Sequence, residues 1–313
     1  MSVVVVGSVN ADLVTRVTAH PAPGQTVAGQ SMAVLAGGKG ANQAVAAARL
    51  GARVAFVGAV GDDEFADVAT STLRTSGIDL SGLRVVAGPT GLALITVSAD
   101  GENTIVVVPG ANAAVDDAAV AANAAAIASA DVVLLQGEIP TSGVEAAARA
   151  AAARVVLNLA PVVDLDPDVL RLADPLVVNE HEARGALALL GAPPDAGDLQ
   201  DVAAALVRAG VRSVVVTLGA VGALVATPCA TAQAGPPDVV AIPAPRVSAL
   251  DTTGAGDAFV GALVQRLAAG VGLVDAARFA ARVGAYAVTG AGAQASYPDA
   301  ATPLPAVGDE TAR

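Results

Sequence analysis

The chain has 313 residues, of which 54% are hydrophobic and 15% are charged, and its formal net charge is −12. The apolar content suffices for a large core and excludes intrinsic disorder, and the acidic balance without any basic stripe excludes nucleic acid as a partner. Neither a membrane-spanning run nor a secretory leader pattern is visible, so we expect no membrane partner and a cytoplasmic location. The length predicts two domains, or one large α/β unit with an appendage.

Rare residue types limit the possible chemistry. Cys229 is the only cysteine, which excludes an intramolecular disulfide and a thiolate zinc site. His20 and His181 are far apart in sequence, which disfavours a histidine-centred mechanism. The only lysine, Lys39, lies in a glycine-rich turn, where a thin stem and a compact charge fit better than an arginine. A solvated surface lysine is the alternative interpretation.

In chain order, apolar runs alternate with helical patterns. The valine-rich residues 2–7 are typical of a strand buried on both faces of a parallel sheet. The further predicted strands are 53–60, 132–136, 155–159, 176–178 and 213–218. The predicted helices are 41–50, one starting near 62–64, 117–130, 141–153, 180–190 and 199–210. This alternation predicts an α/β fold with a doubly wound, mainly parallel sheet flanked by helices.

Two stretches without a long helix interrupt the alternation. One of them is a predicted hairpin, because the β-rich residues 92–98 and 104–108 flank an Asp100-Gly101 turn signal. We predict that 14–35 and 90–109 form a small β-sheet lid. Residues 1–13, 36–89 and 110–313 then form the main α/β domain. An ordinary surface excursion is the alternative interpretation of both stretches.

The clearest chemical pattern is Asp251-Thr252-Thr253-Gly254-Ala255-Gly256-Asp257, which precedes a predicted helix. Small residues that open a helix direct free backbone N–H groups at one point, where the helix dipole favours an anion. In the first turn, Asp257 could accept a proton from an attacking hydroxyl, which indicates phosphoryl transfer to an alcohol. The alternative is that Asp257 only caps the helix and the glycines only form a tight turn.

Two other phosphate-binding motifs do not fit. Gly40 follows Lys39 where a P-loop requires Ser or Thr. Gly7 is the only glycine directly after the first strand, where a dinucleotide fingerprint requires several. Residues 290–295 match that fingerprint in spacing, but they follow a helical pattern, so we do not expect them to bind a dinucleotide.

Five ordered segments resemble the PfkB carbohydrate kinase family, and in particular its ribokinase branch: 7–12, 37–44, 179–182, 217–219 and 251–257. The resemblance runs from about residue 3 to 298. It implies a sugar bound between the α/β body and the lid, with ATP as phosphoryl donor and Mg²⁺ and activating K⁺ as cofactors. It also implies a homodimer formed through the lid.

The same resemblance assigns candidate site residues. Those that would contact the sugar are Asn10, Asp12, Gly38, Lys39, Asn42, Glu138 and Asp257. Asp257 would be the catalytic base, beside the phosphoryl-binding residues Gly254, Ala255 and Gly256. The positions matching ATP-binding residues are Asn179, Glu182, Thr217, Gly219, Gly222 and Gly256, with Glu182 near Mg²⁺. Those matching a K⁺ site are Asp251, Thr253, Ala287, Gly290, Gly292 and Ser296. Ala220 and Val221 replace residues that are commonly polar in relatives, which leaves the nucleotide preference open.

The activity implied by the resemblance is ATP-dependent phosphorylation of D-ribose at its 5-hydroxyl, giving ribose 5-phosphate and ADP. Another sugar or a nucleoside remains an alternative acceptor, because one or two altered contacts can change the substrate. The chain has only four Phe and two Tyr to form a slot for a base, which disfavours a nucleoside. A catalytically silent sugar sensor is the last alternative, and the intact Asp257 argues against it.

Overall fold

The protein is described here by a computed structural model that covers residues 2–193, 197–229 and 235–308. Its strands in these ranges are β1 (Ser2–Val6), β2 (Asn10–Val17), β3 (Gly29–Gly37), β4 (Arg53–Gly61), β5 (Asp79–Val86), β6 (Gly91–Val97), β7 (Asn103–Val108), β8 (Val132–Gln136), β9 (Arg154–Asn158), β10 (Ala173–Asn179), β11 (Val214–Thr217), β12 (Gly222–Thr227) and β13 (Asp238–Pro243). The helices are α1 (Lys39–Arg49), α2 (Phe65–Thr75), α3 (Asp117–Ala122), α4 (Ala124–Ser129), α5 (Thr141–Ala150), α6 (Pro167–Leu172), α7 (Glu180–Leu189), α8 (Leu199–Arg208), α9 (Ala255–Ala268), α10 (Leu273–Ala287) and α11 (Ala293–Ser296).

A nine-stranded sheet forms the centre of the body, in the order β13-β12-β11-β10-β9-β8-β1-β4-β5. Its pairings are parallel except those of β11 with β12 and of β12 with β13. The valines of β1 are buried between β4 and β8, because this strand is interior and covered on both faces. The predicted doubly wound, mainly parallel sheet is confirmed.

Helices cover both faces of this sheet and divide the core in two. On one face, α1 and α9 pack their alanine and valine side chains against the centre of the sheet around β1, and α10 packs against β12 and β13. On the other face, α5, α7 and α8 cover β8 to β11. The helices α1 and α9 are therefore neighbours on one face, and their N-terminal ends lie beside the same edge of the sheet.

A separate four-stranded sheet has the order β3-β2-β6-β7, with β2 and β6 parallel and the other two pairs antiparallel. The predicted hairpin is present as β6 and β7, which pair from Leu92 with Val108 to Val97 with Asn103. The strand β2 already begins at Asn10, and β3 extends to Gly37, so the small sheet reaches beyond the predicted segment 14–35. The division of the chain into two domains stays a prediction.

Several elements differ from the sequence prediction. The expected helix 117–130 is two short helices, because the side chain of Asn123 donates to the carbonyl of Ala119 and ends the first of them. The prediction also missed five elements: β5, α6, β12, β13 and α11. In the part of the chain that the structure covers, every helix is too short or too polar to cross a bilayer.

Candidate active site

The site lies where β1 and β8 end, at the carboxyl edge of the large sheet. The strand order turns at β1, which has β4 on one side and β8 on the other, and such a switch point leaves a crevice above the sheet. Ser8 follows β1 and donates from Oγ to Glu138 Oε2 at 2.6 Å. The backbone N–H of Lys39, at the start of α1, donates to the same oxygen at 3.0 Å. Glu138, which follows β8, therefore links the segment after β1 to the start of α1 by hydrogen bonds.

The N-terminus of α9 forms the predicted small-residue turn. Gly254 has φ = 72°, in the left-handed region, and its carbonyl accepts a hydrogen bond from the buried Tyr297 hydroxyl at 3.0 Å. An added Cβ at Gly254 would lie 2.6 Å from that hydroxyl, so this position requires glycine. The N–H of Ala255 donates to Thr252 O at 3.3 Å, whereas the N–H of Gly256 has no backbone acceptor among the described residues.

The carboxylate of Asp257 is held by two amide side chains of α1. Asn42 Nδ2 donates to Oδ2 at 2.9 Å, and Gln43 Nε2 donates to Oδ1 at 2.8 Å. Asp257 is only 9% exposed and lies in the first turn of α9. Each carboxylate oxygen thus accepts a hydrogen bond, which is the arrangement suited to an ionised carboxylate that can take up a proton.

A cavity of about 180 Å³ lies in front of this carboxylate. It brings together candidate residues from four separate parts of the chain: Lys39, Asn179, Glu182, Thr217, Gly254, Gly256 and Asp257. Ala255, Gly219 and Gly222 are not among its lining residues. Gly222 has φ = 121°, and an added Cβ would overlap the carbonyl oxygen of Ile242, so close backbone packing is sufficient to explain this glycine.

Asn10 and Asp12, on the lid strand β2, form the other side of the site. The Asn10 side chain is fixed by Asn112, which donates from Nδ2 to Asn10 Oδ1 at 2.7 Å and accepts from Val9 N at 2.9 Å. Gly37 pairs in the adjacent strand, and an added Cβ there would overlap the Asp12 carboxylate. Asp12 Oδ1 is buried and has no hydrogen-bond partner in the described structure. It is an acceptor available to a ligand donor.

Electrostatic coupling links these groups. The pKa of Asp12 is raised to about 7, first by burial and then by repulsion from Glu138 and Asp257, and Lys39 opposes this shift. The pKa of Lys39 is raised, chiefly by Asp257, although burial opposes the shift. The predicted Lys39 is therefore a charged ammonium among carboxylates and not a solvated surface residue.

Asn179 and Glu182 form a reciprocal cap at the start of α7. Asn179 Oδ1 accepts the N–H groups of His181 and Glu182, each at 2.9 Å, and Glu182 Oε2 accepts the N–H of Asn179 at 2.8 Å. The alternative interpretation of this segment as a polar helix start is therefore also correct. Burial raises the pKa of Glu182, and the Asn179 hydrogen bond and Lys39 oppose this shift.

Asp251 links the segment before α9 to the loop after α10. Burial opposes ionisation of Asp251, but hydrogen bonds from Thr253 and from the N–H of Gly292 outweigh it and lower its pKa. Its oxygens accept Thr253 N at 2.9 Å and Gly292 N at 2.8 Å. Gly290 packs against Ser296, since an added Cβ would lie 2.9 Å from the Ser296 Cβ, and its N–H donates to Ala287 O at 3.3 Å. The six residues assigned to a K⁺ site thus lie on two linked segments.

The sequence analysis missed a set of buried amides behind Asp257. These are Gln43, Gln136, Asn158 and Gln294, together with Asn112 behind Asn10. Gln43 does lie within the quoted segment 37–44, but its neighbour Asn42 was the residue assigned to the site. The residues 290–295 follow the helix α10 and not a strand, which agrees with the rejection of that segment as a dinucleotide fingerprint.

Comparisons with known proteins agree with this geometry. Residues 1–300 match the signature described as pfkB family carbohydrate kinase. The ribokinase of Haemophilus influenzae is 40% identical over 300 residues, which cover 94% of each chain. The deoxyribokinase of Salmonella typhi is 34% identical and covers 95% of this chain and 96% of its own. The structure of Arabidopsis thaliana ribokinase complexed with ribose and ATP superposes with a TM-score of 0.82 at 33% identity, covering 95% of this chain and 96% of that one. The chain belongs to the pfkB family of carbohydrate kinases.

Proposed function

We propose that this carbohydrate kinase transfers the γ-phosphoryl group of ATP to the 5-hydroxyl of D-ribose, giving ribose 5-phosphate and ADP. The observation that carries the proposal is the position of Asp257. Its carboxylate lies at the N-terminus of α9, in a cavity that it shares with Lys39 and the Gly254–Gly256 turn. A proton acceptor beside backbone donors is what phosphoryl transfer to an alcohol requires.

In the proposed reaction, the sugar O5 attacks the γ-phosphorus as the bond from that phosphorus to the bridging oxygen of ADP breaks. The hydroxyl proton moves to the Asp257 carboxylate. The free N–H of Gly256, the positive end of α9 and the Lys39 ammonium stabilise the charge on the migrating group. Asp12, with its unpartnered Oδ1, accepts a sugar hydroxyl and orients the ring.

The resemblance also implies Mg²⁺. Groups of three or more His, Cys, Asp or Glu side chains that could hold a metal are absent from the described residues. Mg²⁺ bound with ATP keeps several waters and needs few protein ligands, so this donor set is compatible with it. Glu182 fits as the nearby carboxylate, because its burial penalises the ionised form and a cation would offset that penalty. The metal would neutralise charge on the ATP phosphates.

The resemblance also implies K⁺, and the two segments that Asp251 links, before α9 and after α10, offer oxygen atoms that suit this ion. The donor set that we propose is the ionised Asp251 carboxylate with oxygen atoms of Thr253, Ala287, Gly290, Gly292 and Ser296. Oxygen donors of this type suit a large monovalent cation. Since these segments precede α9 and follow α10, a bound ion would hold the phosphoryl-binding turn in place.

We also propose that two copies of the chain pack through their lids. Every residue of the edge strand β7 is exposed, and four consecutive apolar side chains are 41–60% exposed: Ile105, Val106, Val107 and Val108. An exposed apolar edge strand is an aggregation hazard unless a partner covers it. A second copy supplies a matching surface by symmetry.

We also propose a cytoplasmic location, which the use of ATP supports.

The test is ADP release by the purified chain with ATP, Mg²⁺ and K⁺, measured separately with D-ribose, 2-deoxy-D-ribose, D-fructose and adenosine. We expect D-ribose to give the highest kcat/KM, and ³¹P NMR of the product to identify a phosphate on O5. Asp257→Asn should lower kcat by about 10²- to 10⁴-fold. The control is Asp67→Asn, because Asp67 is exposed on α2, far along the chain from these residues. A higher kcat/KM with adenosine, or no ADP release above background with any acceptor, would refute the proposal.

A further inference from the structure

Gln43 occupies the centre of the buried amide network behind Asp257. Its Nε2 donates both to Asp257 Oδ1 and to Asn158 Oδ1, each at 2.8 Å. Its Oε1 accepts from Gln136 Nε2 at 2.8 Å. Gln43 has no exposed surface, so it cannot touch a substrate in this arrangement, and any effect on the reaction must pass through Asp257.

The orientation of this network is fixed by the main chain. Asn158 Nδ2 donates to the carbonyl of Val177 in β10 at 3.0 Å, so Asn158 Oδ1 must face Gln43. Gln43 must then turn its NH₂ group toward Asn158 and Asp257. The reversed orientation would place Gln43 Oε1 against two acceptor oxygens and leave the Gln136 donor facing another donor. A backbone carbonyl of the central sheet thereby sets the hydrogen bond that Asp257 Oδ1 receives.

This hydrogen bond has a chemical consequence for Asp257. A donor that cannot turn away stabilises the ionised carboxylate and disfavours the protonated acid at Oδ1. It also restricts rotation of the carboxylate, so that Oδ2 remains on the side of Asn42. Charge-assisted hydrogen bonds of this type are stronger than neutral ones.

We propose that Gln43 is a positioning residue of the phosphoryl-transfer reaction, which keeps Asp257 ionised and oriented through an amide relay anchored on the Val177 carbonyl. This inference rests on the proposed function, in which Asp257 takes up the hydroxyl proton. Nothing in the comparisons assigns a role to Gln43.

The main test is Gln43→Met, which keeps the length of the side chain and removes both the donor and the acceptor. We expect kcat to fall about 10- to 100-fold, the loss of one hydrogen bond to a charged group. KM for D-ribose should stay within about threefold, since Gln43 touches no ligand. The acid limb of the kcat–pH profile should move to higher pH. A kcat within twofold of the wild type, or a lower kcat with an unmoved acid limb, would overturn the proposal.

Gln43→Glu is the second variant, in case the first one does not fold. It retains the shape of the side chain, and while protonated it can donate to Asp257. Its kcat should be retained at low pH and lost as the pH rises, because two adjacent carboxylates then repel each other. A kcat–pH profile with the same shape as that of the wild type would count against the relay. Gln265→Met is the matched control, because Gln265 is also a buried glutamine but lies outside this network.

One measurement separates this inference from the proposed function. The carboxyl carbon of Asp257 can be followed by NMR in ¹³C-aspartate-labelled protein and identified by its absence in Asp257→Asn. Its titration midpoint should move to higher pH in Gln43→Met, whether or not the chain phosphorylates ribose. An unchanged midpoint would refute the positioning role even in an active ribokinase. A shifted midpoint in a chain without kinase activity would refute only the proposed function.

Discussion

Gly261 of α9 lies directly against the backbone of Gln43 in α1. An added Cβ at Gly261 would be 2.6 Å from the Gln43 carbonyl oxygen and 2.5 Å from the Cβ of Ala46. Any larger residue would have to move the two helices apart. This close approach allows Asn42 and Gln43 to reach Asp257 at 2.9 and 2.8 Å. The geometry of the site therefore depends on a glycine that touches no ligand.

Gly261→Ala should consequently reduce both stability and activity. We expect the free energy of unfolding to fall by about 1–3 kcal/mol, because the added methyl overpacks the helix interface. We expect kcat to fall by up to about 10²-fold, because a displacement near 1 Å misaligns Asp257. Denaturant unfolding and steady-state kinetics measure these effects. Gly272→Ala is the control, since an added Cβ there meets no atom within 4 Å. Equal losses in both variants would contradict the packing argument.

We expect the buried carboxylate of Asp12 to reduce the stability of the fold while it serves sugar binding. Its pKa is 3.8 as a free side chain and about 7 in the folded protein, where burial is the main cause of the shift. Between these values the folded protein retains a proton that the unfolded chain has lost, so the contribution of Asp12 to stability falls as the pH rises through this window. Asp12→Asn should therefore raise Tm relative to the wild type at pH 8, with a smaller difference at pH 5, and should weaken D-ribose binding.

The control for Asp12→Asn is a substitution at an aspartate whose pKa is shifted in the opposite direction. A hydrogen bond from the Ser81 backbone lowers the pKa of Asp79, so this carboxylate stabilises the fold above its unfolded value and the contribution is lost as the pH falls. Asp79→Asn should lower Tm slightly at pH 8 and leave D-ribose binding unchanged. A Tm difference for Asp12→Asn that does not vary with pH would disprove the burial of a titrating carboxylate.

The loop held by Asp251 predicts a dependence on K⁺. With chloride and ionic strength constant, replacing K⁺ by Na⁺ should lower kcat, because the smaller ion fits the proposed oxygen donors less well. Asp251→Asn should remove the difference between the two ions, since the charged donor is lost while the side chain keeps its size. Equal rates in K⁺ and Na⁺ for the wild type would exclude an activating site.

The exposed strand β7 predicts an interface between two copies. Val106→Lys should convert the proposed dimer into a monomer, because Val106 is 60% exposed at the centre of the apolar edge. Light scattering coupled to size exclusion measures the mass. Val85→Lys is the matched control, since Val85 is 69% exposed on β5 in the large sheet. A wild-type protein that is monomeric at micromolar concentration would contradict the lid interface.

Local patterns were enough to predict most of the α/β body. The four consecutive valines of β1 leave few alternatives to an interior strand, and the small residues before α9 predict a turn that opens a helix. The alanine-rich residues 117–130 misled the prediction, because helix propensity is high throughout this segment. Only the side chain of Asn123, which bonds back to Ala119, ends the first helix.

The relay behind Asp257 could not have been predicted in the same way. Gln43 and Asp257 are 214 positions apart, and Asn158 is 115 positions from Gln43. Their contact depends on the crossing of α1 over the sheet, which no local pattern encodes. Asn42 and Gln43 are also consecutive in a helix, where neighbouring side chains point in different directions. The Asp257 carboxylate lies between the Asn42 and Gln43 side chains, so it accepts a hydrogen bond from each of them.

The presence of a single lysine in the chain has a practical consequence for chemical labelling. Of the 17 Lys and Arg residues, only Lys39 has a primary amine on its side chain. Apart from an α-amino terminus, Lys39 is therefore the only amine that an acylating reagent can modify, and it lies in the cavity in front of Asp257. Because neighbouring carboxylates keep that amine protonated, it reacts slowly, and a bound sugar would shield it further. Mass spectrometry of acylated protein can thus report the occupancy of a single binding site.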